Sequence, residues 1–295
     1  MGSSGSSDLD RLRGLVDDAL RGPVDALIAE DGDLARFAEA LRYPIGAGGK
    51  RLRPVLLLAV VEALDGDLSA GLAPACALEL VHTFSLVHDD LPALDDDDLR
   101  RGMPTTHVAY GEDVAILVGD GLLALAFRVI AEGRGLDGET RLGLVRELSR
   151  ATDGMVRGQY LDLHPGAEPD EAHVRRMCAL KTGCLLEAAV GMGLLVAGAD
   201  DAATAAYREL GAEIGVAFQI VDDVLDATST SEALGKTAGA DEANDRSTWV
   251  RVLGLAAAQE RAQASWERAD ALLDALPGDP RALRACVETI YRRTS

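Results

Sequence analysis

Apolar residues recur at every third and fourth position along almost the whole chain, and strict alternation over the length of a strand is rare. That period lays a continuous apolar stripe along a helix, whereas a half-buried strand needs a period of two. The stripe is built mainly from Ala and Leu with Val in the minority, which favours helix over sheet. Helices are expected at about 9–20, 24–41, 51–64, 71–91, 113–133, 138–163, 170–179, 182–198, 202–227, 247–275 and 280–293. Breakers separate them, among them Gly22-Pro23, Gly46-Ala47-Gly48-Gly49, Gly102-Met103-Pro104 and Pro277-Gly278. The segment Ala227 to Asp245 has little periodicity and reads as a loop. Several helices are apolar on most faces, Leu185 to Ala199 for instance, which puts them at the centre of the fold. The expected architecture is therefore all-α: one domain over 8–295, a bundle of roughly ten or more helices, after a flexible polar lead over 1–7 that in part has the look of an expression scar.

Composition excludes several functions. A formal net charge of −20 opposes nucleic acid and anionic membrane surfaces. The longest unbroken apolar runs, such as Val55 to Val61, are too short to cross a bilayer, so no membrane span is expected. The four cysteines, Cys76, Cys178, Cys184 and Cys286, show no CxxC pairing, and no secretory signal follows the lead, so a reduced cytoplasmic setting is the plain reading. Only three of the 29 basic residues are lysines, Lys50, Lys181 and Lys236, and each sits beside Gly or Thr. A lysine retained in so arginine-rich a chain suits a site that needs a compact point charge rather than a planar fork, and together the three look like anion contacts.

The most informative segment runs from His82 through His88-Asp89-Asp90, Pro92 and Asp95-Asp96-Asp97-Asp98 to Arg100-Arg101-Gly102. On a helix His82, Ser85 and Asp89 share one stripe, and Asp95 falls on another face. Pro92 disturbs the helix between them, and a bulge there would bring Asp95 back towards Asp89. Six acids among ten residues repel one another; hard oxygen ligands in this arrangement suit Mg²⁺, which binds a few carboxylates plus substrate phosphates. Asp96 to Asp98 read as a solvated acidic loop. A second cluster, Gln219…Asp222-Asp223…Asp226, puts Gln219, Asp222 and Asp226 on one face of an otherwise apolar helix, where carboxylates demand cations or protons. A di-iron bundle would need ExxH pairs on two helices, and none is present. Two separated aspartate clusters with basic residues instead describe a multi-metal diphosphate site.

These motifs resemble the trans-prenyltransferase (polyprenyl synthetase) family, most closely its bacterial farnesyl diphosphate synthases, from about Gly46 to Leu253. Gly48-Gly49-Lys50-Arg51-Leu52-Arg53-Pro54 looks like one family segment, and His88 to Gly102 is similar to the first aspartate-rich motif in its longer form. Gly158-Gln159…Asp162, Lys181-Thr182-Gly183, Gln219…Asp226 and Gly235-Lys236-Thr237 match in order. The resemblance implies an isoprenoid synthase bundle around a deep central cavity, and a homodimer. It implies three Mg²⁺ ions, with Mn²⁺ able to substitute, on Asp89, Asp95 and Asp222, with Asp90 and Asp226 in support. Gly49, Lys50, Arg53, His82 and Arg101 would hold isopentenyl diphosphate; Arg100, Lys181, Thr182, Gln219, Lys236 and Arg246 would hold the allylic diphosphate. Arg246 stands where the family usually has Lys.

The implied chemistry is ionisation, condensation and elimination, with Lys181, Thr182 and Gln219 at the reacting centre and the proton lost to the released pyrophosphate. Water must be excluded from the allylic cation, and the loop Ala227 to Asp245 is a candidate lid. In the family, bulk on the helix before the first motif limits product length. Phe84 and Ser85, five and four residues before Asp89, suggest fifteen carbons, with a twenty-carbon geranylgeranyl product as the alternative. A class I terpene cyclase would not need Lys50, Arg53 and His82, and a non-catalytic subunit of a heteromeric synthase would be marked by loss of an aspartate cluster.

Overall fold

A computed structural model describes residues 3–30, 34–166, 169–228 and 248–291. The period-3.6 pattern becomes a helical bundle: α1 (Ser3–Glu30), α2 (Ala35–Gly46), α3 (Leu52–Ala63), α4 (Leu68–Asp89), α5 (Thr106–Tyr110), α6 (Glu112–Glu132), α7 (Gly138–Leu163), α8 (Glu171–Cys178), α9 (Cys184–Ala197), α10 (Asp201–Thr228), α11 (Trp249–Leu253), α12 (Leu255–Ala275) and α13 (Arg281–Tyr291). Side-chain caps start several of them. Asp67 accepts from Ser69 N at 2.8 Å, Asp137 from Thr140 N at 2.7 Å and Asp170 from His173 N at 2.8 Å, each satisfying an amide that has no partner inside its helix.

The layering follows from how apolar each helix is. α3 is buried around nearly its whole circumference and packs against α4, α9 and α13, while α9 also meets α7 and α10. α4 lies along α6, and α12 covers the outside of α10. The central position expected of Leu185 to Ala199 is observed: Leu185, Leu186, Ala188, Ala189 and Val190 are all buried.

Helix boundaries differ from the expected ones where a breaker sits within a strong apolar stripe. α1 runs through Gly22-Pro23, because Leu12, Val16 and Leu20 keep one face of it in the core and tertiary packing outweighs the local cost of a proline. It is helical from Ser3, so most of the expected flexible lead belongs to it. The helices expected at 170–179 and 182–198 are one continuous rod with a π-helical insertion at Ala179–Gly183. The helix expected at 247–275 is interrupted at Gly254, whose φ of +81° ends α11 and begins α12.

One small sheet was not foreseen. Leu99–Arg100 (β1) and Met103–Pro104 (β2) pair antiparallel, Leu99 opposite Pro104 and Arg100 opposite Met103. Arg101 and Gly102 form the two-residue turn with φ of 54° and 76°, the sign that a twisted hairpin requires at both positions. The membrane argument from short apolar runs also needs correction. By length and composition alone α4, α6 and the rod Glu171–Ala197 are long and apolar enough to cross a membrane. In the bundle α4 and the rod turn most of this surface inward, and α6 is the least buried of the three.

Candidate active site

A cavity of about 550 Å³ opens between the ends of α4, α7 and α10 and the π-helical insertion. Asp89 and Asp95 line one side of it, and Asp222 reaches it from α10. The return of Asp95 to Asp89 comes from chain termination rather than from a bulge. α4 stops at Asp89, the chain turns through Pro92, and Asp95 N donates to the Asp89 carbonyl at 2.8 Å. Burial pushes the Asp89 carboxyl up to about 7; Lys181 draws it down, and Asp95 adds to the rise. Among the described residues no three His, Cys, Asp or Glu side chains converge on one point. A hard divalent cation here would therefore take part of its oxygen shell from a ligand, as small, strongly hydrated cations do.

The remaining acids divide by direction. Asp90 is 3% exposed and turns away from the cavity to Arg100, whose Nε donates to Asp90 Oδ1 at 2.8 Å and whose Nη2 donates to Asp97 Oδ2 at 3.1 Å. Arg100 itself lines the cavity, so Asp90 holds it in place. Asp96 to Asp98 are exposed, as expected. On α10, Asp222 faces the cavity, whereas Asp223 and Asp226 are buried. Asp223 accepts from Gln219 Nε2 at 2.8 Å and from the Trp249 backbone N at 2.7 Å.

Opposite the aspartates stand Lys181 and Thr182, presented by the π-helical insertion. Gly158 on α7 makes this possible, since a Cβ there would lie 2.1 Å from Lys181 N. Lys181 Nζ donates to Asp162 Oδ2 at 2.6 Å, and Thr182 Oγ1 donates to Gln219 Oε1 at 2.9 Å. Phe84 and Ser85 also line the cavity; Phe84 meets His88 edge-on at 5.2 Å, and His88 Nε2 lies 3.0 Å from the Ile116 carbonyl over Gly119.

A second group of basic residues involves the Gly48–Lys50 loop, the start of α3 and the hairpin. Arg53 and His82 line the cavity, and Arg53 lies over the Phe218 ring at 5.9 Å. Lys50 is exposed on the adjoining loop, where Gly48 and Gly49 have φ of 75° and 138°. Arg101, at the tip of the hairpin, donates to the Gly48 carbonyl, and a Cβ on Gly49 would meet its guanidinium at 2.6 Å. His82 is held well below the usual imidazole range, by burial first and then by Arg53, Arg101, Arg100 and Arg51. Lys236, Arg246 and most of the candidate lid lie outside the described residues. Two features of this region drew no attention in the sequence: Glu79, whose only signal was being the one acid in the apolar stretch Ala70 to Val81, and the pairing of Asp162 with Lys181.

Comparison with known proteins agrees with this geometry. Residues 35–289 match the polyprenyl synthetase family. A farnesyl diphosphate synthase of Geobacillus stearothermophilus is 44% identical over 232 residues, 77% of this chain and 78% of the relative. A chloroplastic geranylgeranyl pyrophosphate synthase of Catharanthus roseus is 44% identical over 243 residues, 79% of this chain and 68% of the relative. Among solved structures, an FPP/GFPP synthase of Zymomonas mobilis superposes with a TM-score of 0.86 at 33% identity, covering 99% of this chain and 100% of its own. A geranyltransferase of Helicobacter pylori complexed with magnesium and isoprenyl diphosphate gives 0.87 at 29% identity, with 99% of both chains covered. With its helical bundle, its motifs and these relatives in agreement, the chain belongs to the polyprenyl synthetase family.

Proposed function

We propose that this prenyltransferase condenses isopentenyl diphosphate with dimethylallyl and geranyl diphosphates, and that farnesyl diphosphate is its main product. The observation that carries the reading is one cavity whose lining joins Asp89, Asp95 and Asp222 with Arg100 and Lys181, and with Arg53 and His82 as well. One diphosphate needs the first group and a second needs the other.

Mg²⁺, present in the Helicobacter pylori structure, fits the chemistry of the first group: hard carboxylate oxygens, one of them pushed up to about 7 by burial. Three ions are proposed, held by Asp89, Asp95 and Asp222 with Asp90 and Asp226 in support, and Mn²⁺ could take their place. Bound there, they would neutralise charge that builds on a departing diphosphate. Arg100 and Lys181, with Lys236 and Arg246, would hold the allylic diphosphate. Gly49, Lys50, Arg53, His82 and Arg101 would hold isopentenyl diphosphate, His82 being a neutral donor amid arginines. The Gln219 amide and Thr182 hydroxyl are already pinned by hydrogen bonds, so their dipoles would need no reorganisation to stabilise an allylic cation. Met155, Leu185 and Phe218 give the cavity an apolar wall that would help keep water from that cation. Phe84 and Ser85 would form its floor.

A homodimer is also proposed, covering the exposed Ile116 and Leu117 of α6. Incubation with isopentenyl diphosphate and ten- or fifteen-carbon allylic diphosphates, with and without Mg²⁺, followed by product sizing, tests the assignment. Failure to condense any allylic primer would sink it. A twenty-carbon product is the second reading, supported by the equal identity of 44% to the farnesyl and geranylgeranyl relatives.

A further inference from the structure

The loop that carries Lys50 is anchored by the residue after it. Arg51 is not glycine, yet it has φ of 50° and caps the start of α3; a side chain held in the left-handed region needs support from its surroundings. It is 5% exposed, and its guanidinium reaches three elements. Nε donates to Asp17 Oδ1 of α1 at 2.9 Å, Nη1 to Glu79 Oε1 of α4 at 2.6 Å, and Nη2 to the Ile45 carbonyl of α2 at 2.8 Å. Glu79 is 2% exposed and stands one turn before His82. From the other side Arg101 grips the Gly48 carbonyl.

A buried ion pair is poor evidence of stabilisation, because removing two charges from water offsets most of their attraction. A planar fork does fix direction, which an apolar cluster of the same volume cannot. We propose that Arg51, Glu79 and Asp17 form a positioning clamp for the isopentenyl diphosphate site, so that α1, otherwise remote from the chemistry, sets the position of the loop Gly48–Lys50. This rests on the assignment of Lys50 and Arg53 to that substrate.

The test compares Glu79→Gln, Glu79→Asp and Asp17→Asn with the wild type in the full chain with Mg²⁺, measuring KM for each substrate and the melting temperature. Glu79→Gln is expected to raise KM for isopentenyl diphosphate roughly ten- to a hundredfold, as misplacement of a binding group does. Asp17→Asn should raise it by about two- to fivefold, since its carboxylate is partly exposed. KM for the allylic diphosphate should stay within about twofold of wild type in both, and Glu79→Asp should recover part of the loss. A lower melting temperature with both KM values unchanged, or both raised alike, would overturn the clamp while leaving the synthase reading intact. Should Glu79→Gln not fold, Asp17→Asn decides by the same criterion. A wild type that condenses nothing would overturn both.

Discussion

Gln219 Nε2 donates to Asp223 Oδ1 at 2.8 Å, so the second aspartate of the α10 pair is committed to holding an amide and its neighbour Asp222 alone of the two faces the cavity. Adjacent residues on a helix point about 100° apart, which is why a run of two aspartates does two different things. Mg²⁺ is expected to raise the melting temperature of the wild type, and Asp222→Asn should abolish that rise. Asp223→Asn should keep that rise but lower the baseline stability by about 1–3 kcal/mol, because one buried donor loses its acceptor. Thermal melts with and without Mg²⁺ distinguish the two; equal loss of the metal response in both would contradict this division.

Gly158 permits the contact that presents Lys181 and Thr182. An alanine Cβ would lie 2.1 Å from Lys181 N and 2.4 Å from its Cα, and backbone cannot step aside as a flexible side chain can. Gly158→Ala should cost about 1–3 kcal/mol of stability and lower turnover by roughly a hundredfold through misplacement of Thr182 and Lys181. Gly138→Ala, with nothing within 4 Å, is the control and should leave both unchanged. Chemical denaturation and steady-state kinetics on the two variants check this.

His82 should impose an acid limb on stability. Its imidazole is held well below the usual range in the folded chain, by burial and then by four arginines. Once unfolded it protonates near pH 6.5. Below that pH the unfolded state binds a proton that the folded state refuses, so stability present above about 6.5 is lost as pH falls, by up to about 1.4 kcal/mol per unit. His82→Gln should flatten this part of the profile. Denaturant titrations of both proteins between pH 5 and 8 give the difference directly, and parallel profiles would refute it.

Phe84 is buried at 7% exposure, lines the cavity and packs edge-on to His88. Phe84→Ala should lengthen the product from fifteen towards twenty carbons, at a cost of about 3 kcal/mol in stability. Mass spectrometry of the products checks it. An unchanged distribution would remove Phe84 as the floor.

Much of this protein follows from one-dimensional pattern. The helical class, the central place of Leu185 to Ala199 and the existence of two aspartate clusters were legible because period and spacing are properties of neighbours in sequence. Boundaries were less legible where packing competes with local preference: α1 runs through Pro23 because Leu12, Val16 and Leu20 are buried on one face, a fact no local window contains. The hairpin at Leu99–Pro104 escaped because its turn uses Arg101 with φ of 54°, a conformation arginine does not advertise.

The sequence by itself determined which residue types could meet cations and diphosphates, since charge and spacing are written in it. Tertiary structure alone decided their allegiances: Asp90 to Arg100, Asp162 to Lys181, Glu79 to Arg51. Burial is the physical reason. A charged group removed from water must find a partner among whatever the fold brings near, and those partners here lie 10 to 28 residues away along the chain.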